Sequence, residues 1–143
     1  MSEQDNLQVA EKWIEAVNAH DFGAWEEMRS PEYLWEGPGM PGPAGADAEV
    51  TYMEGAYQAF PDLHIEVVQT IAQGDLVVVN GLIVGTNQGS MTMPDGQTLP
   101  ATGKKWNIPF SETLEFADGK ILHRSMYSDR MEQMAQLGLS PGA

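Results

Sequence analysis

The hydrophobic residues of the first sixty positions recur every three or four residues, which predicts amphipathic helices. The first helix is expected over about residues 5–19. A second short helix should follow Asp21 as its N-cap and end at Ser30-Pro31, and a third should run from Ala46 to Phe60. Between the last two helices, residues 37–45 are so rich in glycine and proline that a loop is expected.

From there on, hydrophobic and polar residues alternate, which is typical of strands with one buried face. The segment Met91–Thr102 is expected to turn at Pro94-Asp95-Gly96, and Asp118-Gly119 predicts a tight hairpin turn. Strands are predicted over residues 63–68, 75–86, 105–116 and 120–128.

The chain ends with a short predicted helix that stops at Gly138, followed by a frayed terminus over Ser140–Ala143. Asp129 with Glu132 three residues later resembles a capping box, so a capping role is preferred to a catalytic one for Asp129. Helices followed by antiparallel strands predict a single α+β domain over residues 1–143, in which helices close a curved sheet into a cone with a pocket.

Composition narrows the possible partners of this domain. The chain has 143 residues and a net charge of −14, which argues against binding to nucleic acid or to an anionic membrane. There is no cysteine, and the three histidines are scattered, so no metal site is predicted. No segment is apolar enough for a signal peptide or long enough to cross a membrane, so a cytoplasmic protein is expected.

Glu112 is the residue that most suggests chemistry, because it interrupts an apolar stripe along one face of a predicted strand. Its neighbours on that face are Trp106, Ile108, Phe110, Leu114 and Phe116. A carboxylate on a buried face costs free energy unless something compensates for it. Either Glu112 is a general base whose pKa is raised by burial, or it is a structural partner of Arg124 or Lys120.

The register of the last hairpin decides which side chains lie beside Glu112. With a strict two-residue turn, Glu112 shares its face with His123, Ser125 and Tyr127; with a bulge, it shares its face with Arg124 and Met126. Aromatic and methionine side chains predict the rest of the pocket, although core packing alone would explain each of them. The expected ligand is a small hydrophobic molecule, and the predicted lining is Trp35, Tyr57, Trp106, Phe110 and Met126.

Several short segments, taken in order, resemble SnoaL-like polyketide cyclases of the NTF2-like superfamily. They are Ala59–His64 (AFPDLH), Asp75–Val79, Gly85–Gly89, Phe116–Ile121 and Gln136–Leu139. The resemblance covers nearly the whole chain. It implies the NTF2-like cone, a homodimer formed through the open sheet face, and a small cofactor-free enzyme acting on an aromatic or polyketide-like substrate.

The resemblance also places residues of the family's active site on this chain. The family's acid/base Asp falls on Met126, a pocket His falls on Glu112, and an Asn falls near Trp35. The favoured function is acid/base chemistry by Glu112, with Arg124 or His123 orienting it or stabilising an enolate oxygen.

Two other functions stay open. One is a non-catalytic domain that binds a hydrophobic ligand, in which Glu112 is salt-bridged and no second polar group converges on it. The other is an epoxide hydrolase or cofactor-free hydroxylase on the same fold. An epoxide hydrolase needs two carboxylates around a water molecule, and the sequence suggests only Glu112.

Overall fold

A computed structural model describes residues 2–92 and 96–139. The predicted turn residues Pro94 and Asp95 and the terminal Ser140–Ala143 lie outside the described residues. The elements, in chain order, are α1 (Glu3–Ala19), α2 (Phe22–Met28), β1 (Arg29–Glu36), α3 (Ala46–Ala59), β2 (His64–Gln73), β3 (Leu76–Thr86), β4 (Met91–Thr92), β5 (Thr98–Leu99), β6 (Lys105–Ala117), β7 (Lys120–Ser128) and α4 (Arg130–Gln136).

All four predicted helices are confirmed, and side chains cap the starts of three of them. Ser2 and Asp5 form a reciprocal capping box at α1, with the Asp5 backbone N–H donating to Ser2 Oγ at 3.1 Å. Asp21 accepts the Ala24 N–H at the start of α2. At α4, Asp129 accepts the Glu132 N–H at 3.0 Å, which confirms its capping role.

Five strands form one curved sheet in the order β1-β7-β6-β3-β2, in which only β1 and β7 run parallel, and β4 and β5 form a separate two-stranded antiparallel sheet. In the β6–β7 pair, Glu112 lies opposite Met126 and Leu114 opposite Arg124. The register shifts between Glu115 and Phe116, so a bulge follows the hairpin turn. Of the two registers predicted for this hairpin, the structure therefore has the one that puts Arg124 and Met126 on the face of Glu112.

The sequence analysis predicted no strand at the position of β1, and this prediction was wrong. Ser30-Pro31 and the following Gly-Pro loop suggested only the end of a helix. The strand lies at the sheet edge, where the missing N–H of Pro31 is tolerated, and its register with β7 shifts between Arg29 and Leu34. Because its partner is about ninety residues away, no local pattern signals the pairing.

The helices and the concave face of the sheet enclose the core. α1 packs against β2 and β3, and its Trp13 packs against Trp25 of α2 with the ring planes tilted by 33° and the centroids 5.2 Å apart. Alternate residues of β6 point into the same space, including Ile108 and Leu114, which are fully buried. Glu112 therefore lies on the inner wall of the cone, as the period of two predicted.

Candidate functional site

The interior of the cone holds a cavity of about 90 Å³ between the helices and the concave sheet face. Its lining is mostly apolar, and Glu112 and Arg124 contribute charged groups to its wall. A larger cavity of about 430 Å³ adjoins it. The two share five lining residues, Tyr52, Ala56, Trp106, Arg130 and Gln133, so they form an inner and an outer chamber.

Glu112 and Arg124 form an ion pair at the inner chamber. Arg124 Nη1 lies 3.0 Å from Glu112 Oε2, and both side chains are almost completely buried. The second carboxylate oxygen, Glu112 Oε1, has no hydrogen-bond partner among residues 2–92 and 96–139. One oxygen of Glu112 is thus fixed by the arginine, and the other is free to meet a ligand.

Arg124 is held in place by a second carboxyl group and a tyrosine. Its Nη2 donates to Glu49 Oε2, and its Nε donates to the Tyr33 hydroxyl at 3.1 Å. Tyr33 in turn donates to Glu49 Oε2 at 2.5 Å, and Arg29 Nη1 lies 3.4 Å from Glu49 Oε1. The result is a buried network of two carboxyl groups, two guanidinium groups and a phenol, in which the formal charges balance.

Aromatic rings complete the surroundings of Arg124. Its guanidinium carbon lies 5.2 Å from the ring centroid of Trp13 and 5.5 Å from that of Trp35. These distances fall within the range of cation–π attraction. The rings help to compensate for the desolvation of the cation and leave it little freedom to move.

The surroundings of Glu112 raise its pKa. Burial raises the pKa of Glu112 above its ordinary value, and the attraction of Arg124 offsets only part of that rise. Burial alone would lower the pKa of Arg124, but the neighbouring Glu112, Tyr33 and Glu49 raise it overall, so the guanidinium keeps its charge. Burial also raises the pKa of Tyr33, which therefore remains a neutral hydroxyl.

The structure brings together some of the predicted site residues. Glu112, Arg124, Trp35, Trp106 and Met126 all line the inner chamber. Trp106 stacks on Phe60 with centroids 3.9 Å apart, and its Nε1 donates to the Gln133 carbonyl oxygen at 3.0 Å. Trp106 therefore forms a fixed part of the boundary between the two chambers.

Three other predicted residues do not line the chamber. His123 points to the opposite face of β7, with Nε2 3.4 Å from Glu36 Oε1, because the bulge selects the register that turns it away. Tyr57 donates its hydroxyl to the Val17 carbonyl oxygen and stacks on His20. Phe110 lies across from Gly81 and packs over that glycine as part of the core.

The sequence prediction missed Glu49 and Tyr33. Glu49 is fully buried on α3, and a signal was present: it precedes Met53 by four positions and Ala56 by seven, on the predicted apolar side of the helix. Tyr33 lies on β1, the strand that was not predicted. Lys120, the other suggested partner of Glu112, instead donates to the Glu27 carbonyl oxygen.

Neither a metal cluster nor a membrane helix is found in the described part of the chain. Among its histidine, aspartate and glutamate side chains, no three lie close enough together to hold a metal ion. Within the same ranges, no helix is both long and apolar enough to span a bilayer.

Comparison with known proteins places the chain in a family. A family model described as the SnoaL-like domain matches residues 10–124, which is most of the chain. The protein belongs to the SnoaL-like family. No curated protein matches the chain.

Solved structures agree on the fold of this SnoaL-like protein. AclR from Streptomyces galilaeus, a candidate hydroxylase, is 24% identical with a TM-score of 0.82, over 99% of this chain and 86% of that one. A candidate SnoaL-like polyketide cyclase from Jannaschia has the same TM-score at 20% identity, over 94% of this chain and 92% of that one. IdmH from Streptomyces antibioticus, a candidate polyketide cyclase, is 23% identical with a TM-score of 0.78, over 94% and 99%. These identities support the α+β cone and do not establish a shared reaction.

Proposed function

We propose that this SnoaL-like protein is a cofactor-free enzyme that transfers protons on a hydrophobic substrate, with Glu112 as the general acid/base. The observation that carries the proposal is the divided environment of Glu112. Its Oε2 is paired with Arg124 at 3.0 Å, whereas its Oε1 is buried and unpartnered among the described residues, and Glu112 is one of the residues that line the inner chamber. Burial raises its pKa toward the range in which a carboxylate is an effective base.

Arg124 has an orienting role in this mechanism. Its Nε and both Nη atoms already contact Tyr33, Glu112 and Glu49, so its guanidinium is engaged before any ligand binds. It holds Glu112 in one position and lowers the pKa of Glu112 from what burial alone would give. Glu112 Oε1 would take a proton from the carbon next to a substrate carbonyl and return it to another atom of the same molecule, as an isomerase or aldol cyclase requires.

The substrate class that fits the chamber is an apolar, aromatic or polyketide-like molecule. Tryptophan rings and methionine side chains dominate the lining, notably Trp35, Trp106 and Met126. The name of the family, and those of the candidate cyclases that share the fold, support the same class. Methionine occupies the position expected for the family's Asp, so in this chain Glu112 would carry the proton transfer without that second acid.

A water-adding enzyme is a second candidate, and the Oε1 of Glu112, which is unpartnered in the described part of the chain, favours it. The sequence suggested one carboxylate, whereas the structure places two on the same arginine, Glu112 and Glu49. In such an enzyme Glu112 Oε1 would activate a water molecule. Glu49 is fully buried and does not line the inner chamber, so its part would be limited to holding Arg124.

The ion pair of Glu112 is also what a non-catalytic ligand-binding domain would show, and titration separates that alternative from an enzyme. The carboxyl carbon of Glu112 can be followed by NMR in protein labelled with 13C at glutamate, and Glu112→Gln identifies its signal. A midpoint clearly above the ordinary glutamate value of about 4.3 supports the proposal. An ordinary or depressed midpoint would rule out a general base and leave the binding domain.

We also propose that the protein forms a homodimer in the cytoplasm. Large apolar side chains are exposed on the sheet face away from the cone interior, namely Ile71, Leu76 and Tyr127, and Val68 is exposed at the irregularity in β2. A patch of this kind is typical of an interaction surface. Analytical ultracentrifugation tests the assembly: a dimer of the wild-type chain that dissociates in Val68→Asp is expected, and a monomeric wild-type chain would contradict it.

A further inference from the structure

Three polar atoms on the concave face of the sheet lack partners. They are Trp35 Nε1, Glu112 Oε1 and Ser128 Oγ, and none has a hydrogen-bond partner among residues 2–92 and 96–139. Their side chains all line the inner chamber. Trp25 Nε1 of α2 is also unpaired among these residues, and Trp25 lines the same chamber. Buried polar atoms are almost always paired, so unpaired ones around one cavity indicate that a bound molecule completes them, and the three on the sheet face are considered together.

Strand register shows that these three side chains are neighbours. Trp35 of β1 lies opposite Arg124 of β7, and its ring contacts that guanidinium. Glu112 of β6 lies opposite Met126, and Ser128 follows Met126 by two positions on the same face of β7. The three unpaired atoms therefore come from three adjacent strands around Arg124 and Met126.

The chemistry of the three groups specifies what they bind. An indole N–H can only donate, a carboxylate only accepts, and a hydroxyl does both. One ligand oxygen would satisfy all three groups. It would accept a hydrogen bond from Trp35 Nε1 and contact Ser128 Oγ, while a hydrogen on that oxygen or on the neighbouring carbon would point to Glu112 Oε1. A carboxylate in the same place would be repelled by Glu112, so the expected group is uncharged.

The sizes of the chambers define the rest of the ligand. The inner chamber of about 90 Å³ has room for a head of a few atoms. The outer chamber of about 430 Å³ continues from it, lined by apolar groups such as Phe60, Met91 and Leu137. Met40, Met53 and Met126 line the inner chamber, and their flexible side chains can shift to admit the head.

We propose that the inner chamber binds the neutral head of an enol, enolisable ketone or phenol, with its oxygen on Trp35 Nε1 and Ser128 Oγ and its acidic hydrogen directed to Glu112 Oε1. The hydrophobic body of the same molecule lies in the outer chamber. Trp35 and Ser128 are thereby the ligand-binding and specificity residues of the site. The chemical identity of the head rests on the proposed function of Glu112, whereas its preference for a neutral hydroxyl is a binding property measured separately.

Three probes that differ only in the head test this proposal on the full chain: 4-propylphenol, propylbenzene and 4-propylbenzoate. Their affinities are measured by ligand-observed NMR at pH 7.5. The phenol should bind at least about ten-fold more tightly than propylbenzene, which corresponds to one or two added hydrogen bonds. Benzoate binding should be weaker than phenol binding by at least the same factor.

Two variants then locate the preference. Trp35→Phe keeps an aromatic ring and removes the N–H, and Ser128→Ala removes the hydroxyl. Each should lower the ratio of phenol affinity to propylbenzene affinity about three- to ten-fold. Ser125→Ala, which changes a serine on the opposite face of β7, is the matched control and should alter neither affinity.

The outcomes separate the alternatives. Equal affinities of the wild-type chain for 4-propylphenol and propylbenzene would overturn the proposal. A preference for the phenol that is unchanged in both single variants, Ser128→Ala and Trp35→Phe, would also overturn it. If Trp35→Phe does not fold, the wild-type ratio and Ser128→Ala decide. A phenol preference with an ordinary Glu112 pKa would keep the head-binding site and refute the general base, so the two proposals fail independently.

Discussion

Removing the guanidinium of Arg124 is the most informative perturbation of this protein. Arg124→Met keeps the apolar stem of the side chain and deletes every polar contact of the group. Lost are the ion pair to Glu112 at 3.0 Å, the hydrogen bond to Tyr33 at 3.1 Å and the ion pair to Glu49. Two carboxyl groups then remain in the core, and of the network's cations only Arg29 stays near Glu49.

The size of the effect follows from burial. Glu112 and Glu49 are 2% and 0% exposed, so neither can regain water without a change of structure. Removing one partner of a buried ion pair typically costs about 3–5 kcal/mol. Because domains are stable by only about 5–15 kcal/mol, we expect a variant near its unfolding threshold at neutral pH.

The loss of stability in Arg124→Met should depend on pH. Arg124 lowers the pKa of Glu112 in the native state, so its removal raises that pKa further above the unfolded value of about 4.3. A carboxyl group with a raised native pKa is tolerated best when protonated. The free energy of unfolding should therefore be highest below the unfolded pKa and fall as the pH rises toward the native pKa.

Urea denaturation at pH 4.5 and pH 7.5 measures both quantities. Lys12→Met, which removes an exposed positive charge on α1, is the control for net charge, and we expect it to change stability by less than about 0.5 kcal/mol. Adding Glu112→Gln to Arg124→Met should restore part of the stability at pH 7.5. A loss below about 1 kcal/mol for Arg124→Met, or one that is equal at both pH values, would refute the reasoning.

Three further tests address other parts of the structure. Glu49→Gln should lower the pKa of Glu112, because the charge of Glu49 raises it; an unchanged NMR midpoint for Glu112 would contradict the network. Ser2→Ala should cost about 1 kcal/mol in urea denaturation by removing the capping box of α1, whereas Gln4→Ala at an exposed α1 position should not; equal effects would argue against the cap. Gly89→Ala should cost about 3 kcal/mol, since its Cβ would lie 2.0 Å from the Gln58 carbonyl oxygen. Gly55→Ala in the open middle of α3 should stabilise by about 0.5–1 kcal/mol, and a thermal melt that shifts both glycine variants the same way would contradict this contrast.

Local pattern was sufficient for most of the fold. The spacing of Leu7, Trp13 and Val17 predicted α1, and the alternation around Glu112 predicted β6 with the carboxylate on its buried face. Asp129 was correctly assigned as a cap, since its partner is three residues away. Each of these features depends on neighbours in sequence, which is why periodicity and capping rules reach them.

Tertiary contacts decided the rest of the site. Strand β1 exists because β7 pairs with it, and it brings Tyr33 and Trp35 to the wall of the cone. The bulge after the hairpin turn places Arg124, and not His123, on the same sheet face as Glu112. Although Glu49 lay on the predicted apolar side of α3, only the folded chain shows that it meets Arg124, which is 75 residues away.

The amino-acid sequence by itself determined that a carboxylate would be buried in a cone of SnoaL-like architecture, because burial of Glu112 follows from a local period of two. It did not determine which charged side chains lie next to that carboxylate. Pairing between distant strands and a one-residue shift in register set which charges share the interior, and those charges control the pKa of Glu112 and the atoms that remain free to bind a ligand.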